Sequence, residues 1–125
     1  MKTILSVTAL AAAMLCGTNA NAESHIEEVW ECTLVEGKTM EQVNSINANW
    51  IKYANENVKG GGISSRTVTP LVGDLGSFIF VDSFPDLGSW AIAKEVMSTG
   101  AGQKIEAALE EVSSCTSNRL YSSTQ

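Results

Sequence analysis

The apolar residues of this 125-residue chain recur with a period that switches from two to about 3.6 and back, twice over, and that order narrows the possible folds more than any single motif does. In HIEEVWECTLV, from His25 to Val35, Trp30, Cys32 and Leu34 form an apolar row alternating with Val29, Glu31 and Thr33, which predicts a strand. A turn at Glu36-Gly37-Lys38 leads into Thr39-Met40-Glu41-Gln42, a capping box in which the Thr39 hydroxyl and the Gln42 amide satisfy reciprocal backbone donors. Met40, Val43, Ile46, Trp50, Tyr53 and Ala54 then follow at three- and four-residue spacing, so a helix is expected to about Val58. Five asparagines between Asn44 and Asn57 lower its intrinsic propensity, and packing of the apolar face has to hold it.

Lys59 and the glycines at 60, 61 and 62 end that helix. ISSRTVTPLV reads as a second strand, placed at a sheet edge because Pro70 has no amide proton to give a ladder. Gly73-Asp74-Leu75-Gly76 supplies hairpin chemistry before SFIFVDSF, the strongest strand signal in the chain. Asp86 is positioned to cap a second helix marked by Leu87, Trp90, Lys94 and Met97, which Gly100 and Gly102 interrupt before QKIEAALEEV resumes; CTSNRLYSS is the last strand. The order β-α-β-β-α-β folds most simply as two interleaved crossovers, a ferredoxin-like α+β domain: a four-stranded antiparallel sheet with both helices on one face. The expected neighbours are a central, mutually parallel pair formed by the first and third strands, with the fourth strand antiparallel beside the first.

The first 22 residues stand apart. Lys2 is their only charge, an apolar run extends from Ile4 to Leu15, and small residues close on Ala20-Asn21-Ala22, the pattern of a secretory signal peptide. The run is too short to span a bilayer, and export to the periplasm or medium is expected, with no membrane association after cleavage. Residues 23–125 then form one domain. They hold seven basic against 14 acidic residues, net −7, which leaves no basic patch for nucleic acid or an anionic membrane. Their two cysteines, Cys32 and Cys115, fall on adjacent antiparallel strands in an oxidising compartment, so a disulfide is expected. If the two oppose each other, partner numbers sum to 147, pairing Glu28 with Arg119 and Ile26 with Tyr121.

Helices on one face leave the other face of the sheet open, and the third strand is apolar in both rows, with Ile79 and Val81 alternating with Phe78, Phe80 and Phe84. Such a face calls for a partner, most economically a second copy of the chain. Element order, apolar open face and length together resemble the dimeric α/β-barrel superfamily, which includes antibiotic-biosynthesis-type monooxygenases and haem-degrading monooxygenases. The resemblance covers the whole of residues 23–125 and carries no specific motif. It implies a pocket for a small, partly apolar ligand between sheet and helices, and a fold some of whose members oxidise substrates without metal or cofactor. The haem-degrading members use an Asn-Trp-His set; here the only histidine, His25, stands at the start of a strand. No cofactor and no metal are therefore expected.

With Ile79/Val81 and Trp30/Cys32/Leu34 assigned to the helix-covered side, the other side carries Glu31, Thr33, Phe80, Asp82, Thr116 and Asn118. Glu31 and Asp82 on neighbouring central strands would form a mutually perturbing acid pair, against the plainer alternative that both are solvated or paired with a base. With the faces reversed, Arg119 and Tyr121 join the pocket instead. The ligand-binding candidates are thus Glu31, Phe80, Asp82, Asn118 and Arg119. Three functions are consistent with them: an exported small-molecule-binding dimer, a cofactor-independent oxygenase or isomerase with an acidic base, and a structural or inhibitory module like a protease propeptide.

Overall fold

A computed structural model describes residues 23–124, so the signal peptide expected at 1–22 lies outside the described residues. The elements run β1 (Ser24–Leu34), α1 (Met40–Asn57), β2 (Ser64–Val68), β3 (Ser77–Phe84), α2 (Leu87–Met97), α3 (Gly100–Val112) and β4 (Ser113–Thr124). The strands form one sheet in the order β2-β3-β1-β4, the ferredoxin-like arrangement. All neighbours are antiparallel, β1 and β3 included. The expected parallel central pair is wrong for a simple reason: α1 returns the chain so that β2 runs with β1, and the hairpin after β2 then reverses β3.

α1 begins as its sequence predicts. Gln42 N donates to Thr39 Oγ1 at 3.3 Å while Thr39 N donates to Gln42 Oε1 at 3.0 Å. Its asparagines, poor helix formers in isolation, tie it to the edge of the sheet. Thr67 donates its hydroxyl to Asn44 Oδ1 at 2.8 Å, and Asn47 Nδ2 donates to Ser65 Oγ at 2.9 Å. Asn55 donates to the Ile63 carbonyl at 2.8 Å and accepts from the Ile63 amide at 3.0 Å, clamping the chain as it leaves the glycine turn, where Gly60, Gly61 and Gly62 all have positive φ.

The second helix is interrupted where its glycines predict, since Gly100 takes φ 56° and turns the chain from α2 into α3. Two details depart from the sequence expectation. Pro70 stands beyond the end of β2 rather than in it, although β2 is the edge strand. Lastly, Cys32 and Cys115 are bonded and paired in the ladder, but the register shifts between Glu31 and Cys32, so Glu31 opposes Ser117 and Thr116 is the extra residue of a bulge. Arg119 therefore opposes Val29, not Glu28, and Tyr121 opposes Glu27, not Ile26.

The ladder also settles the faces. Ile26, Glu28, Trp30 and Cys32 pair with Phe84, Asp82, Phe80 and Phe78, and together they make the helix-covered side. The β1 row lies on the side its sequence predicts and the β3 row on the opposite one: Ile79 and Val81 pair with Glu31 and Val29 on the open side. A one-residue error of phase in a strand apolar in both rows exchanges its whole face. Beneath the helices lie two apolar clusters, one of Trp50, Ala54, Val58, Ile63, Phe84, Ala93 and Met97, the other of Cys32, Val43, Phe78, Phe80 and Val112.

Candidate functional site

A polar belt separates those two clusters. Each element that crosses between them interrupts its apolar row once: β1 with Glu28 between Ile26 and Trp30, β3 with Asp82 between Phe80 and Phe84, α1 with Asn47 between Val43 and Trp50. Glu28 and Asp82 are direct partners in the ladder, and all three side chains are buried. Beside the belt is a cavity of about 230 Å³. Trp30, Trp50 and Phe80 give it aromatic walls, Asn47, Asp82 and Lys94 give it polar groups, and α3 with the start of β4 closes it through Glu106, Leu109, Glu110, Ser113 and Cys115.

Glu28 is 0 % exposed. A carboxylate so placed needs donors, and it has three: Lys94 Nζ at 2.6 Å, Trp90 Nε1 at 3.1 Å and Asn118 Nδ2 at 2.9 Å. The same Lys94 ammonium lies 4.8 Å from the centroid of the Trp30 ring, a cation over an aromatic face. Across the cavity Trp50 Nε1 donates to Glu106 Oε1 at 2.9 Å, and Trp50 packs edge-on against Phe84.

Asp82 lacks such a set of donors. Burial pushes its carboxyl up to about 7; the Ser65 hydroxyl bonded to it pulls the other way, the charge of Glu28 raises it further, Lys94 lowers it and Glu106 raises it. Ser65 is its partner across β2 and β3, and Asn47 Nδ2 donates to the oxygen of that hydroxyl at 2.9 Å. A carboxyl poised near neutrality at the wall of a cavity can take a proton from a bound molecule or return one.

Of the residues expected from sequence, Phe80 and Asp82 line the cavity and Asn118 supports it through Glu28. Glu31 and Arg119 lie on the open side of the sheet, where they pair with each other at 3.1 Å and Ser117 donates to Glu31 at 2.9 Å. The acid pair expected of Glu31 and Asp82 does not exist, since the sheet lies between them; the neighbour of Asp82 is Glu28. Glu28, Asn47 and Lys94 escaped the sequence reading. Their signal is present: each is a polar residue at an apolar-row position of an otherwise regular element.

No protein-family model matches this chain, and no curated protein matches it. Solved structures do. The cofactor-independent oxygenase SnoaB from Streptomyces nogalater superposes with a TM-score of 0.58 at 14% identity, covering 82% of this chain and 95% of that one. A putative antibiotic biosynthesis monooxygenase from Chloroflexus aurantiacus gives 0.52 at 9% identity, over 79% and 92%. A protein from Shewanella oneidensis gives 0.52 at 19% identity, over 82% and 92%. The chain thus shares the ferredoxin-like α+β fold of these proteins.

Proposed function

We propose that this chain is an exported, homodimeric protein that binds one small, partly apolar molecule in the cavity between sheet and helices. The observation that carries the reading is the combination, in a single cavity, of three aromatic walls with the buried Asp82 carboxyl near neutrality. Calorimetric titration with small phenols tests it. Saturable binding to the wild type and its loss in Leu109→Trp, which fills the cavity, are expected; binding that is absent, or that survives the filling, overturns the reading.

Export is supported by the leader pattern at 1–22 and by the Cys32–Cys115 disulfide, and a chain retained inside the cell with Met1 still in place would contradict it. Pairing of two copies is supported by the charge of the open face. Glu27 pairs with Arg66 at 3.7 Å and Glu31 with Arg119 at 3.1 Å, so the face around Val29, Ile79 and Val81 is electrically balanced on a chain of net charge −6. Two copies meet there without the repulsion that their other surfaces impose.

A second reading, catalysis without a cofactor, is favoured by Asp82 itself. Its carboxylate takes a proton from an acidic carbon of the substrate; the C–H bond breaks, an O–H bond forms on Asp82, and the electron pair stays on the substrate as an enolate. Returning the proton at another carbon is isomerisation, and passing electrons to dioxygen is the opening step of oxygenation, the activity for which SnoaB is described. Glu31, exposed and paired on the opposite face, has no part in it. Incubated in D₂O with a 1,3-dicarbonyl compound, the wild type is expected to speed exchange of the central C–H by a hundredfold or more over Asp82→Asn; equal rates would end this reading.

A further inference from the structure

We infer that the ligand of the cavity is a small organic cation, an apolar or aromatic amine whose ammonium lies among the carboxylates of Asp82, Glu106 and Glu110 while its apolar body packs on the aromatic walls. The inference rests on the reading of the cavity as a ligand site and adds the charge of the molecule it takes. Its basis is an unequal set of charges around one small space. Among the described residues Lys94 is the one cation lining the cavity, and its ammonium lies 2.6 Å from the wholly buried Glu28. Those two charges cancel. Neither Glu106 nor Glu110 forms an ion pair among the described residues, and Glu106 accepts only from the Trp50 indole, at 2.9 Å. The cavity is therefore acidic, with Lys94 already spent.

Asp82 adds an acid short of partners. It is 7 % exposed, lines the cavity and is served by the Ser65 hydroxyl alone, although a carboxylate accepts several hydrogen bonds. A buried acid with one donor and no counter-ion is completed by a cation that also donates, and an ammonium does both. Among the described residues no three acidic, histidine or cysteine side chains stand close enough together to hold a metal ion. The carboxylates are spread from β3 to α3 around aromatic walls instead, and aromatic faces attract ammonium groups. One face of Trp30 is taken by the Lys94 ammonium, 4.8 Å from the ring centroid, which leaves Trp50 and Phe80 for the ligand. The volume of about 230 Å³ lies below the roughly 300 Å³ at which pockets for drug-sized molecules begin, so the space suits a single substituted ring. An exposed Glu110 at the rim, on a chain of net charge −6, draws a cation in and repels an anion.

Three probes of similar shape separate the cases: tyramine is a cation, 4-ethylphenol is neutral and 4-hydroxyphenylacetate is an anion. In calorimetric titration of the wild type, tyramine is expected to bind about tenfold tighter than 4-ethylphenol, and 4-hydroxyphenylacetate more weakly than either. The preference for tyramine should grow as pH rises through about 7, where Asp82 gives up its proton, because the carboxylate so formed attracts the ammonium. The groups facing Asp82 there are Glu28 of β1, Lys94 of α2, Glu106 of α3 and the Ser65 hydroxyl of β2. Asp82→Asn removes the pH dependence. Glu106→Gln, whose amide oxygen can still accept from the Trp50 indole, should cut the preference roughly fivefold; Glu110→Gln, at an exposed position, tests the same point if the first variant folds poorly. Equal binding of tyramine and 4-ethylphenol, tighter binding of the anion, or a preference unchanged in both glutamine variants overturns the inference and leaves the cavity reading standing. Absence of saturable binding of all three probes to the wild type overturns both.

Discussion

Asp82 is costly to keep. Its carboxyl ionises near 7 in the folded chain against 3.8 for the unperturbed group, so between those values the folded state holds a proton that the unfolded state has lost. Stability is therefore full below about pH 4 and falls as pH rises toward 7, where the loss levels off. Three pH units of displacement correspond to about 4 kcal/mol at most, a large part of the 5–15 kcal/mol typical of a small domain. Asp82→Asn, which cannot ionise, should be the more stable protein at pH 8 and lose its advantage on acidification, with urea denaturation at several pH values as the measurement. A stability difference between the two proteins that does not change with pH would remove the case for a strained acid. The same comparison explains why the site was only partly legible. Asp82 and Phe80 could be picked out of SFIFVDSF, but whether the carboxyl met solvent, Glu31 or Glu28 depended on a face that a strand apolar in both rows does not announce.

At the scale of elements, the helices are written almost openly in the chain. The Thr39 capping box, the Asp86 cap, whose side chain accepts from Ser89 N at 2.7 Å, and the glycines after Val58 all act as their chemistry directs. Gly102 is the exception whose purpose lies in another element. A Cβ at that position would stand 2.2 Å from the Val96 carbonyl oxygen and 2.7 Å from the Met97 Cα; both are backbone atoms of α2, so neither can turn aside. Gly102→Ala should force α3 away from α2 and cost roughly 2 kcal/mol, read as a fall of about 10 °C in thermal unfolding. Because α3 forms one wall of the cavity, ligand binding should weaken with it. From sequence, Gly102 reads only as a helix breaker, since its contact with α2 is made after both helices exist. The bulge at Thr116 has the same origin: pairing Cys32 with Cys115 fixes one end of the β1–β4 ladder, and the extra residue resets the remainder so that Arg119 serves Glu31.

At the scale of the whole molecule, the disulfide joins residues 83 apart, and closing a loop of that length contributes about 4 kcal/mol in the chain-entropy model. It also fixes the strand whose Asn118 helps hold Glu28, so one covalent bond bears on both stability and the cavity. The proposed dimer would use the other face. Ile79→Arg adds an unpaired charge to the balanced open face without touching the cavity, so if two copies pair there light scattering should show a dimer for the wild type and a monomer for the variant, with phenol binding retained. A wild type that scatters as a single chain at micromolar concentration would refute the dimer.

The chain by itself determined where strands and helices lie, the order in which they come, and which two cysteines could meet, because periodicity, caps and turn residues act within a few neighbours. Tertiary structure alone decided the phase of β3, the reset register of β4 and the joining of Glu28, Asn47, Asp82 and Lys94 around one cavity. Those outcomes depend on which surface an element buries, and that is a property of the partner it packs against rather than of its own residues.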